Sequence, residues 1–186
     1  ERVEAEWAQI LARDVDGVAQ LTSGEVERVK TFFPLPDYQS VDEAAMDAAL
    51  QVQAENSVAF SRWLERNVRN QKQPGYAAVT LSLKPAGVAP GDVTDRQLES
   101  IASLADQFSN GELRTTHNQN IVIADVIKSQ LFDFWQMAKA DGLATPTIGT
   151  INDMICCPGG DYCSLANAKS IPVAEAIQRK FEDLDY

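Results

Sequence analysis

Apolar residues recur at three- and four-residue spacings through the first 70 or so positions of the chain. Val3, Trp7, Ile10 and Leu11 mark one face of a helix. Thr22-Ser23-Gly24-Glu25 reads as the start of a second helix, with Val26, Val29, Phe32 and Phe33 following at helical spacing and Pro34 and Pro36 stopping it. A third helix is expected from about Val41 to Gln53. A fourth is expected from Ser57 to Val68, with Phe60, Trp63 and Leu64 on one face. These aromatics suit core or interface packing. The polar stretch Asn67 to Gly75 reads as a linker.

The pattern then changes. Tyr76 to Leu83 alternates like a strand, and Lys84 to Gly91, with two prolines and two glycines, reads as a loop. Thr94-Asp95-Arg96-Gln97 is a capping box ahead of the stripe Leu98, Ile101, Ala102, Ala105 and Phe108, which Asn110-Gly111 closes. Leu113 to Val126 reads as one strand or two pieces, Ser129 to Asp141 as a helix, and Ile148 to Ile155 as a third strand. A Cys-Pro-Gly-Gly loop and a helix from Ile171 to Leu184 follow. The order β-α-β-α-β fits a layered α/β domain with α+β character, a ferredoxin-like split βαβ half-domain preceded by a helical segment. An α/β domain of other connectivity shares the same spacing.

Composition narrows this picture modestly. The chain has 186 residues, 45% of them apolar, which is enough for a packed core. Its 27 acidic and 16 basic residues give a net charge of -11, which speaks against a sequence-independent grip on nucleic acid. No apolar run is long enough to span a bilayer and no secretory signal opens the chain, so a cytoplasmic setting with reduced thiols is expected. The first residue is Glu rather than Met, which suggests an excised piece. Three cysteines are too few for a disulfide scaffold.

Those cysteines sit together in Ile155-Cys156-Cys157-Pro158-Gly159-Gly160-Asp161-Tyr162-Cys163. Thiolates suit zinc and iron–sulfur clusters, and Pro-Gly-Gly lets a short loop aim two sulfurs at one point. Taken alone, three neighbouring cysteines could equally be small buried hydrophobes, and a cluster usually wants four. A second polar motif, GELRTTHNQN from Gly111 to Asn120, carries the single histidine, His117, and alternates side chains that could face a ligand or solvent.

Taken together, Tyr76 to Lys84, the Thr94 to Phe108 helix, GELRTTHNQN and ICCPGGDYCSLANAKS resemble the second of the two pseudo-symmetric halves of sirohaem and [4Fe–4S] nitrite/sulfite reductases. The resemblance spans about residues 75 to 186, and the helical region before it resembles the inter-half segment of bacterial sulfite reductase haemoproteins. It implies three parts: an inter-half segment over 1–70, a ferredoxin-like half-domain over 71–155, and over 156–186 the start of the domain that binds cluster and sirohaem.

The resemblance assigns Cys157 and Cys163 as two of four cluster thiolates and leaves Cys156 to packing. Arg114, Thr116 and Asn120 fall near the sirohaem, since THNQN resembles the family's Thr-x-x-Gln motif. The family's second pair, C-x3-C, does not occur here. The expectation is therefore a piece of a reductase that takes sulfite to sulfide, or nitrite to ammonia, with electrons from ferredoxin or a flavoprotein. By itself it would be inactive, without catalytic residues and largely free of cofactor. Two readings outside that family are a thiol-based redox sensor and an interaction module docking through the stripe around Phe60 and Trp63.

Overall fold

The computed structural model describes residues 2–182. The chain divides into two compact units between Tyr38 and Gln39. The first holds α1 (Arg2–Arg13) and α2 (Ser23–Lys30). Thr22 caps α2 as expected, its hydroxyl accepting from the Glu25 N–H at 3.2 Å. Neither helix buries a residue, and Phe32 and Phe33 are exposed, so the apolar faces read from the sequence are not core faces here.

The second unit carries α3 (Glu43–Glu55), α4 (Val58–Asn67), β1 (Val68–Asn70), β2 (Tyr76–Leu81), α5 (Asp95–Phe108), β3 (Leu113–Thr115), β4 (Ile121–Ile127), α6 (Leu131–Ala140) and α7 (Ile171–Phe181). The expected end of α7 at Leu184 lies outside the described residues. All pairings are antiparallel and the sheet order is β1-β2-β4-β3. Helix α5 therefore connects β2 to β3 with β4 lying between them, which is the split βαβ of a ferredoxin-like sheet. The Thr94 capping box forms in full, and Gly111, at φ +73°, follows the end of α5.

Two expectations need correction. The segment from Ile148 to Ile155 joins no ladder; it forms a single 3₁₀ turn, Ile151–Asp153. Gly149 at φ +76° breaks the extended path, and the Asp153 carboxylate accepts from the Gly149 N–H at 3.1 Å, so its polar groups are satisfied locally. The outer position beside β2 belongs instead to β1, inside the stretch read as a linker. Three residues are too few to show a two-residue period.

Inward positions on β2 are Ala77, Val79 and Leu81, and on β4 Ile121, Ile123 and Val126. The shift from odd to even on β4 has a cause. Ala77 pairs with Val126 but Val79 with Ile123, so β4 carries one extra residue there. The bulge centres on Asp125, at φ +60°, and Gln71 holds it. The Gln71 amide accepts from the Asp125 N–H at 2.6 Å and donates to its carboxylate at 2.7 Å. Over the inward face, aromatic rings run from α4 through α6 to α5: Trp63 stacks on Phe134, which meets Phe108 edge-on at 5.5 Å. Phe60 and Trp63 are thus core residues.

Candidate functional site

The turn between β3 and β4 and the cysteine loop meet at one end of the sheet. Thr116 organises the turn: its hydroxyl accepts from the Asn120 N–H at 3.1 Å, and its own N–H donates to the Asn120 carbonyl at 2.9 Å. Gln119 sits in the left-handed region at φ +57°. From there its side-chain amide donates to the Cys156 carbonyl at 2.7 Å and accepts from the Cys156 N–H at 2.9 Å.

One residue further on, buried Asn120 accepts from the Leu83 N–H at 3.3 Å and donates to the Asp153 carboxylate at 2.9 Å. The same carboxylate takes a hydrogen bond from Lys84, whose Nζ lies 2.7 Å from Oδ1 and 3.0 Å from the Asp153 carbonyl. Lys84 is completely buried, so its charge is satisfied inside the protein.

The three thiols differ in surroundings. Cys156 is buried, Cys157 exposed and Cys163 half-buried, and all three are free. Burial pushes the Cys156 thiol above its ordinary pKa, with a further push from neighbouring Cys157. Its Sγ donates to the Cys157 carbonyl at 3.2 Å. Between the outer two, Gly159 takes φ +61° and a 3₁₀ turn runs Gly159–Asp161. The Cys163 N–H donates to the Gly159 carbonyl at 2.8 Å, folding the loop back on itself. A side chain at 159 could not fit: a Cβ would lie 2.8 Å from both the Ala168 carbonyl oxygen and the Ser170 nitrogen.

A groove of about 460 Å³ runs past this junction, lined by Thr116, Gln119, Asn120, Cys156, Pro158 and Tyr162 among others. Thr116 and Asn120 therefore lie in the same groove as the cysteine loop. Arg114 does not line it. It is exposed on β3 and paired with Glu112, Nη2 to Oε1 2.6 Å. His117 is exposed. Gln119, Lys84 and Asp153 were not singled out by the sequence. Only the Thr-x-x-Gln resemblance touched Gln119, and nothing in the local pattern pairs positions 84 and 153. Among the described residues no group of three or more His, Cys, Asp or Glu is arranged to hold a metal ion. Among the same residues no helix is long and apolar enough to cross a membrane.

Residues 69–141 match the nitrite/sulfite reductase ferredoxin-like half domain. The match covers about two fifths of the chain. The matched segment holds the four-stranded sheet, all but Val68 at the start of β1, together with α5 and α6. The chain is similar to the chloroplastic ferredoxin–nitrite reductase of Spinacia oleracea, 28% identical over 148 residues, which are 75% of this chain and 24% of that protein. The Betula pendula enzyme of the same name is 29% identical over 140 residues, 70% of this chain and 23% of its own length. A solved structure of the Mycobacterium tuberculosis NirA protein aligns with a TM-score of 0.49 at 24% identity, over 64% of this chain and 21% of that one. The chain spans about a quarter of the length of the curated relatives it matches.

Proposed function

We propose that this chain is a piece of a sirohaem-dependent reductase, carrying one of its ferredoxin-like half-domains, in which Cys157 and Cys163 supply two of the four thiolates of a [4Fe–4S] cluster. The observation that carries the reading is the cysteine loop itself. Two accessible thiols flank a tight Pro-Gly-Gly turn, and that loop is fastened to the half domain through Gln119. The donor chemistry fits an iron–sulfur cluster, and the number fits half of one. When bound, cluster and sirohaem supply the multi-electron chemistry. The chain's own part is to hold two sulfurs outward on a fixed base and to keep Cys156 inside.

Thr116 and Asn120 act in this reading through the turn they build, since both Asn120 side-chain ends are engaged by protein groups. Arg114 is exposed and can swing from Glu112 to an anionic edge of the cofactor. A chain with two of four ligands is expected to be inactive by itself.

For the whole enzyme we put nitrite first as substrate and ferredoxin first as donor, because the relatives above bear the name ferredoxin–nitrite reductase. The motif resemblance favours sulfite and keeps it as the second reading. The test is the full-length protein, assayed with reduced ferredoxin and either anion. Turnover with nitrite and little with sulfite is expected, and the reverse preference would reverse the order. Cys157→Ser and Cys163→Ser should each abolish the cluster's visible absorption. A normal cluster in either variant would remove that residue from the ligand set.

A further inference from the structure

We infer that Gln119 is a positioning residue that sets the direction in which Cys157 presents its sulfur, an inference that rests on Cys157 being a cluster ligand as proposed above. A single planar amide satisfies both main-chain polar groups of Cys156, the residue next to the ligand, with bonds of 2.7 and 2.9 Å. A pair of bonds from one rigid group fixes orientation as well as distance, which one bond would not do.

The neighbouring residue completes the grip. Asn120 holds Asp153 at 2.9 Å, and buried Lys84 holds it as well. Two consecutive residues thus anchor the segment Asp153–Cys156 at both ends. The left-handed backbone of Gln119, uncommon outside glycine, is the conformation in which these two anchors coexist.

A third element supports the clamp from behind. The loop after β2 passes against the stem of Gln119 at Gly91, which is itself at φ +91°. A Cβ there would lie 3.1 Å from the Gln119 Cβ, so glycine permits this closeness. Residues that orient a ligand without touching the metal commonly alter metal retention by about 10–100-fold when replaced.

The test uses the cluster-loaded full-length protein. Gln119→Leu removes both bonds at similar volume, while Gln119→Glu keeps the acceptor for the Cys156 N–H and loses the donor. Iron release to a chelator should speed up by roughly 10–100-fold in Gln119→Leu. The increase should be smaller in Gln119→Glu, and the spectrum of the reduced cluster in electron paramagnetic resonance should change in both. A purely structural role would lower the unfolding midpoint and leave the cluster spectrum alone. Wild-type release and spectrum in Gln119→Leu overturn the inference. Should that variant fail to fold, Gly91→Ala carries the test, because it leaves the amide intact but crowds its stem. The same spectral change is then expected, and its absence overturns the inference. Cys157→Ser separates the two levels. Cluster loss there beside an unchanged Gln119→Leu defeats the positioning role alone, whereas a normal cluster there defeats the ligand assignment and the positioning role with it.

Discussion

The Lys84 ammonium lies 2.7 Å from the Asp153 carboxylate, and the two side chains are 0% and 9% exposed. Removing one member of such a pair strands the other charge away from water. Lys84→Met should cost about 3–5 kcal/mol of stability. The double variant Lys84→Met, Asp153→Leu should recover part of that loss, because no uncompensated charge is left. Denaturant unfolding of the four proteins in a double-mutant cycle checks this, and strictly additive losses would show that the pair is not coupled.

Lys128 presents the opposite case. It is itself 4% exposed, but its partners Glu43 and Asp47, each 2.8 Å away, are 41% and 53% exposed. If Lys128 is replaced by Met, both carboxylates rehydrate, so the loss at neutral pH should be only about 0–1 kcal/mol.

The pH profile carries the signature of this cluster. The Lys128 hydrogen bond, with help from the Gly75 N–H, holds the Glu43 carboxyl below its ordinary range. Burial works against the Lys128 ammonium, yet its bonds to Asp47 and Glu43 outweigh that and raise its pKa. The Glu43 contribution is therefore present above about pH 4.3 and lost as acid passes its lowered folded value. The Lys128 contribution is present below about pH 10.4 and lost as alkali passes its raised value. The difference in thermal midpoint between the wild type and Lys128→Met should be constant between these limits and shrink beyond each. A difference that persists unchanged into acid would contradict the assignment.

The three thiols should alkylate in the order Cys157, Cys163, Cys156, following their exposure. Cys156 is further slowed because its raised pKa lowers the fraction of reactive thiolate, so its rate should keep climbing into alkaline solution. Peptide mass spectrometry after timed iodoacetamide treatment of this chain reads the order directly. Fast labelling of Cys156 would mean that the Gln119 clamp opens readily.

Two adjacent glycines in the cysteine loop should differ sharply. Gly159→Ala puts a Cβ 2.8 Å from two backbone atoms at a φ of +61°, whereas the nearest atom to a Cβ at Gly160 is 3.5 Å away. The first substitution should strain the loop by about 1–3 kcal/mol, and the second should be tolerated. Hydrogen exchange of the amides of Gly160 and Cys163, which bond to Ala168 and Gly159, reports the opening. Equal protection in the two variants would show that the loop adapts around position 159.

Much of the half domain could be read from local pattern. The capping box at Thr94, the stripe from Ile101 to Phe108, and the close at Gly111 all formed where the chain said they would, because their interactions span a few residues. The thiol loop was equally visible. The edge strand Val68–Asn70 was not, since its only evidence is a partner strand. The segment Ile148–Ile155 has strand-like composition, but a turn and the pull of Lys84 on Asp153 decided otherwise.

By itself, the sequence determined the helices of the half domain, the strand that opens at Tyr76 and the tight glycine turn between Cys157 and Cys163. These depend on periodicity, capping and spacing, which act over one or two turns of chain. Only the tertiary structure decided that Gln119 would grip Cys156 and that Lys84 would bury its charge on Asp153. Those partners are 37 and 69 residues apart. Nothing local distinguishes such a glutamine or lysine from a solvated one; the closure of the β3–β4 turn against the loop after β2 supplies the difference, by removing the water that would otherwise have satisfied them.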